Sequence, residues 1–259
     1  MISDMWMEQA KKLIATTDGV IGFLVKNLRT KEILFSHNAK MIFPSASIIK
    51  VPILMALMRE AEAGRLNLGE ALPVSEENLV EDSLVHAMTE GLALPWRDHA
   101  LFMIALSDNT STNHIISRLG FESVNAAIGE MGMASTVLGR KMLDFEAKSR
   151  GKDNFTCCND MLILFEHIHE NPDKYKEVLK ILKNQIHNNL LSGLVDPDTF
   201  EFAHKTGALP HTLLDTGIMY LRDPIFVAFM SKELKGEKDG YRLAHELGLL
   251  ICEELNYAL

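Results

Sequence analysis

EFAHKTGALPHTLLDTGIMYLRDPIFVAFM, residues 201–230, is the stretch that decides the fold. The helical periods that dominate the middle of the chain stop before it, and residues 201–206, 213–221 and 224–230 read as three strands. Two more strand signals stand near the other end. Residues 19–28 (GVIGFLVKNL) and 32–36 (EILFS) are separated by Arg29-Thr30-Lys31, as in an antiparallel hairpin joined by a tight turn. These five segments carry the strong strand signals, and they most economically form one antiparallel sheet. Ser3 is placed to cap a first helix carrying Trp6, Ala10, Leu13 and Ile14, and residues 240–257 form a long amphipathic last helix. Both helices then cover a face of the sheet.

Between the two groups of strands the period is helical, over residues 48–63, 96–106, 110–118, 122–131, 156–169 and 172–183, punctuated by Gly64, Pro95, Gly120 and Gly132. The expectation is an α/β (α+β) protein. Residues 1–46 and 190–259 build the sheet lobe, and residues 47–189 form an inserted all-α lobe. Residues 139–154 lack periodicity, and a loop of that length inside a compact domain is usually functional.

Composition sets bounds on the chemistry. With 259 residues, 47% apolar and 24% charged, the chain can bury a core without disulfide help. A formal charge of −9 with scattered basic residues argues against a nucleic-acid partner. Cys157, Cys158 and Cys252 lack the spacing of a metal or redox site and read as small buried thiols. The ten histidines show no ligand grouping, since His167 and His169 are two apart on a helix and do not share a face. No metal or cofactor is expected. The 14 methionines, among them Met55, Met58, Met103 and Met161, read as core filling. Residues 1–8 (MISDMWME) carry acids where a secretory signal would carry positive charge. The most apolar stretch, residues 48–58, is interrupted by Lys50 and Pro52 and is shorter than the roughly 20 residues a membrane span needs. The resulting expectation is a cytoplasmic monomer with no membrane partner.

Ser47-Ile48-Ile49-Lys50 opens the helix that follows residues 38–46. A Ser and a Lys three apart share a helix face, so the amine can take the hydroxyl proton. Pro52 is best tolerated in a first turn, which places the helix start at or just after Ser47. There the positive end of the helix dipole favours an oxyanion and a neutral lysine. The same spacing recurs at Ser149 and Lys152, so on its own it decides little. Its companions are Ser107-Asp108-Asn109, at a junction between two helices and also readable as a capping cluster, and Lys205-Thr206-Gly207 on a strand.

Ser-x-x-Lys, Ser-Asp-Asn and Lys-Thr-Gly, in that order, are the motif set of the penicillin-recognising serine hydrolases, and the chain resembles a class A β-lactamase over nearly its whole length. The resemblance is especially close in residues 94–113 (LPWRDHALFMIALSDNTSTN), in residues 204–208 and in Asp215-Thr216-Gly217. It implies a three-layer αβα fold of the β-lactamase and transpeptidase kind. It also implies roles: Ser47 as acylated nucleophile, Lys50 as its proton acceptor or relay, and Ser107 as the shuttle to the leaving nitrogen. Asn109 would touch the substrate amide and Lys50, while Lys205 and Thr206 would bind a substrate carboxylate. Gly207 would let the strand come close, and the amides of Ser47 and Ala208 would form the oxyanion hole.

One element departs from the family pattern. A class A enzyme carries, in an omega-shaped loop, a Glu followed four residues later by Asn, and that Glu activates the deacylating water. Residues 139–154 (GRKMLDFEAKSRGKDN) lack this motif, and spacing from Ser107 puts the missing Glu near Leu143. Asp144 and Glu146 are the nearest carboxylates and hence the candidate bases. Arg140 and Asp153 are placed to pin the loop ends by an ion pair. The expected activity is hydrolysis of a β-lactam, or of a related amide or ester with a carboxylate. The alternatives are a penicillin-binding protein or sensor with slow deacylation, and an esterase or peptidase-like relative.

Overall fold

A computed structural model describes residues 4–89, 91–196 and 198–256. In chain order the elements begin with α1 (Asp4–Thr16), β1 (Val20–Asn27), β2 (Ile33–His37), β3 (Phe43–Pro44) and a 3-10 turn (Ala46–Ile49) that runs into α2 (Lys50–Glu62). The helical region adds β4 (Ala71–Pro73), β5 (Ala93–Pro95), α3 (Trp96–Ala105), α4 (Asn109–Leu119) and α5 (Phe121–Glu130). It continues with α6 (Phe145–Ser149), β6 (Phe155–Thr156), α7 (Cys158–Glu170) and α8 (Lys176–Leu182). The chain returns through β7 (Glu201–Leu209), β8 (Thr212–Tyr220) and β9 (Pro224–Lys232) and ends in α9 (Glu237–Asn256).

Period-2 alternation sorts the strand side chains onto two faces. Phe23, Val25, Ile225, Val227 and Phe229 point to one side, where they pack with Trp6, Ala10 and Ile14 of α1 and Leu243, Leu247 and Ile251 of α9. Leu24, Ile218, Phe226, Ala228 and Met230 point to the other, where they join one core with Met161, Phe165 and Ile168 of α7 and the remaining helices. Each fully buried Phe, Ile or Val contributes about 1.5–3 kcal/mol of burial free energy. A sheet apolar on both faces therefore requires helices on both, which gives the expected three layers.

The five-stranded sheet runs in the order β2-β1-β9-β8-β7, with every neighbouring pair antiparallel. The five strands expected from the sequence are these five. Gly217 on β8 lies opposite His204, and a Cβ there would sit 2.3 Å from the Ala203 carbonyl oxygen, so only glycine lets the two strands lie this close.

Several local expectations are corrected. Ser47 lies in a 3-10 turn, and the α-helix begins three residues later at Lys50. Alternation and helical period detect only longer elements, so the pairs β3/β6 and β4/β5, of two or three residues per strand, escape them, as does the five-residue α6. The last helix of the inserted region starts at Lys176, after a turn, rather than at 172. Ser3, expected to cap α1, lies outside the described residues. Cys157, Cys158 and Cys252 are free and buried, and Met55, Met103 and Met161 are core residues.

Candidate active site

The turn bearing Ser47 is fixed from three sides. Ile48 and Ile49 are buried beneath it. The Ser45 amide donates to the Asn154 carbonyl at 2.9 Å, and β7 crosses in front. The crossing is tight because Gly207 has no side chain: a Cβ there would stand 2.9 Å from the Ser47 nitrogen and 3.0 Å from the Ala46 Cβ. The backbone of β7 thus lies beside the Ser47 amide, with Ala208 next along the strand. Gly207→Ala is therefore expected to displace the Ser47 amide and slow covalent labelling of Ser47 by about tenfold or more, the scale of losing part of an oxyanion hole. A labelling time course by mass spectrometry, with circular dichroism as the fold control, checks this.

Lys50 follows Ser47 by one turn and is completely buried. Its ammonium nitrogen donates to the Ser107 carbonyl at 2.6 Å and to Asn109 Oδ1 at 2.8 Å, and lies 3.1 Å from Ser107 Oγ. Burial pulls its pKa down to about 7, against the opposing charges of Asp108 and Asp82. Burial rather than the helix dipole is thus the main reason a neutral amine is accessible near neutral pH. With two N–H groups committed to carbonyl oxygens, the lone pair of the neutral amine is free to accept from the Ser107 hydroxyl.

Ser107 reaches this position through a left-handed backbone, φ +55°, at the end of α3. Asp108 then caps α4, Oδ1 accepting from the Ser111 amide at 2.7 Å. Its other oxygen accepts from Ser83 Oγ at 2.8 Å and the Val85 amide at 3.1 Å, which ties the segment between β4 and β5 to the Ser107 corner. The capping reading of this tripeptide therefore applies to Asp108, while its neighbours Ser107 and Asn109 face Lys50.

Lys205 is also completely buried and donates to the Thr206 carbonyl at 3.0 Å. Burial, with the nearby charge of Lys50, holds its pKa well below the usual lysine range, opposed by Asp215. Behind it His204 Nδ1 pairs with Asp215 Oδ1 at 2.8 Å and the ring stacks on Phe202 with centroids 3.9 Å apart. Burial thus disfavours the charged form of both lysines, and nearby acids oppose it, Asp108 and Asp82 at Lys50 and Asp215 at Lys205.

Ser47, Ser107, Asn109, Thr206, Gly207 and Ala208 all line one cleft of about 430 Å³. Its far wall is the aperiodic loop, and Arg140 Nε donates to Asp153 Oδ1 at 2.8 Å, the pairing expected of the loop ends. Asn154 Oδ1 accepts from the amides of Gly139 and Arg140, at 2.8 and 3.0 Å. The loop middle is clamped by Asn113, which accepts from the Met142 amide at 2.7 Å and donates to the Met142 carbonyl at 3.2 Å.

The two carboxylates offered as deacylation bases are not in the cleft wall. Asp144 uses Oδ1 to accept from the Ala147 amide at 2.8 Å, capping α6. Glu146 points into solvent with its side chain 80% exposed and pairs with Arg150 one turn on. The reason is local: Asp144 caps α6 and Glu146 lies on its solvent side, while Phe145 and Lys148 are the residues of this short helix that line the cleft. Leu143, in a left-handed conformation of φ +58°, lines the cleft instead. Asp82, Lys148 and Asp153 also line it. Sequence reasoning missed Asp82 because it belongs to no motif and its backbone, φ +57°, follows no pattern readable in the chain.

Comparison with known proteins gives consistent matches. A family profile described as "Beta-lactamase enzyme family" matches residues 6–255. A β-lactamase of Rhodobacter capsulatus is 33% identical over 115 residues, which span 43% of this chain and 39% of that protein. Among solved structures, a β-lactamase from Sphaerobacter thermophilus superposes with a TM-score of 0.87 at 22% identity, covering 97% of each chain. A leucine-to-glutamate variant of PBP-A, solved as an acyl-enzyme complex with penicillin G, superposes with a TM-score of 0.86 at 25% identity, covering 95% of this chain and 94% of that one.

Proposed function

The chain belongs to the beta-lactamase enzyme family, and from that membership we propose that it is a serine hydrolase of the class A type that opens β-lactam amides through an acyl-enzyme on Ser47. The observation that carries this reading is Lys50: a fully buried amine of pKa about 7, one turn from Ser47 and bonded to Ser107 and Asn109.

In the proposed reaction neutral Lys50 takes the Ser47 hydroxyl proton as Oγ attacks the amide carbon. The oxyanion is held by the amides of Ser47 and Ala208, each donor worth about 3–4 kcal/mol in a comparable site. The carbon–nitrogen bond then breaks, and the proton on Lys50 passes through Ser107 Oγ, 3.1 Å away, to the departing nitrogen. Lys205 and Thr206 hold the substrate carboxylate. Water finally cleaves the Ser47 ester, returning the hydroxyl and releasing the ring-opened acid. The acyl-enzyme of the PBP-A variant supports the first half of this cycle.

Leu143 favours a second reading for the last step. With Asp144 spent on a helix cap and Glu146 in solvent, neither offers a base for the water, and the acyl-enzyme should persist as in a penicillin-binding protein. Incubation with a chromogenic cephalosporin, followed by intact-mass measurement, tests both readings. Turnover supports the hydrolase and a long-lived adduct on Ser47 the binding protein. Neither turnover nor adduct would overturn the acyl-enzyme altogether.

A further inference from the structure

The substrate carboxylate is assigned to Thr206, which lines the cleft, and to Lys205, buried next to it on β7. Two acids line the walls. Asp153 is neutralised by Arg140 at 2.8 Å and Lys148 at 3.7 Å. Asp82 has no ion-pair partner among the described residues and is exposed at the cleft mouth. Its position is fixed against the site, since its carbonyl accepts from Asn109 Nδ2 at 3.4 Å and the next residue, Ser83, donates to Asp108 Oδ2 at 2.8 Å. Asn109 is the residue assigned to the substrate amide, so Asp82 stands beside the acyl portion, away from the carboxylate anchor.

We propose that Asp82 is a specificity-determining residue that selects substrates bearing an ammonium group on the acyl side of the scissile amide, so that the preferred substrate is a zwitterion with its carboxylate at Lys205 and its cation at Asp82. The proposal rests on the acyl-enzyme reading and adds a substrate class to it. A small amide or peptide with a free amino end meets the same description as an aminoacyl β-lactam. The influence of Asp82 on Lys50 fits a carboxylate whose field reaches the reaction centre.

The test compares benzylpenicillin with its α-aminobenzyl analogue, which differ only in that ammonium. Acylation of Ser47 is followed by intact mass at pH 6.5, where an α-amine with a pKa of about 7.7–8.0 is protonated. The quantity read is the ratio of the two rate constants, which does not depend on the folded fraction of a variant. Asp82→Asn should lower the ratio about fivefold, the upper range for an exposed ion pair. Asp82→Lys should lower it further and favour the α-carboxybenzyl analogue. The wild-type ratio should shrink as salt is added. A ratio unchanged by both substitutions would overturn the proposal while leaving the acyl-enzyme intact. Failure of all these compounds either to label Ser47 or to be turned over would overturn the acyl-enzyme reading and, with it, this one.

Discussion

Ser47→Ala is expected to remain unlabelled by any β-lactam, a loss on the order of 10^6-fold in turnover, because the substitution removes the hydroxyl that forms the ester. Lys50→Arg should approach the same result from the other direction. Arginine keeps its proton at any working pH and cannot accept one from Ser47, so acylation should fall by about 10^2–10^4-fold even though the cationic charge is retained. The native enzyme should show the matching pH profile. Only deprotonated Lys50 accepts the Ser47 proton, and its pKa is about 7. Acylation should therefore rise through pH 7 toward a plateau, and fall about tenfold per pH unit below it. Rate constants for Ser47 labelling between pH 5.5 and 8.5 check this, and a flat profile would exclude Lys50 as the base.

The second large effect concerns release. Leu143 lines the cleft at the position where spacing from Ser107 places the family's missing glutamate. Leu143→Glu is expected to introduce a carboxylate facing the Ser47 ester and to shorten the lifetime of the adduct by about 10^2-fold or more, within the range of positioned base catalysis. Acylation itself should change far less, since Lys50 keeps its contacts with Ser107 and Asn109. Decay of the adduct after removal of free β-lactam measures the effect. An unaltered lifetime would show that residue 143 does not face the deacylating water. Glu146→Gln and Asp144→Asn, by contrast, should leave release as it was.

Much of this molecule is written openly in the chain. The five sheet strands and the seven helices of ten residues or more among the described residues announce themselves because each repeats its period, and burial on both sheet faces follows from alternation such as Phe23-Leu24-Val25. Ser47, Ser107, Asn109, Thr206 and Gly207, from all three motifs, line one cleft, with Lys50 buried beside Ser107 and Asn109. The rest was hidden for definable reasons. Ser107, Leu143 and Asp82 adopt left-handed backbones that carry no glycine to mark them. The placement of Asp144 as a helix cap and of Glu146 in solvent depends on a single short helical turn, and no period is long enough to reveal it. Asn113 and Asn154 clamp the loop through side-chain bonds to backbone groups, a role their residue type permits at many places in any chain.

The pairing of β1 with β9 also dictates how this protein comes into being. Val20 meets Lys232 and Asn27 meets Ile225, partners about 200 residues apart, whereas β1 with β2 and β7 with β8 and β9 are local units. A nascent chain emerging from the ribosome can form the first hairpin early, but the inner edge of β1 stays open until the last strand has been made. That edge is apolar on both faces and has unpaired amides and carbonyls, the kind of template on which chains associate wrongly. The catalytic cleft inherits the delay. Ser47 and Ser107 reside in the long insertion and Lys205 in the late meander, so the active site is completed only when these late strands have been made and packed against the insertion.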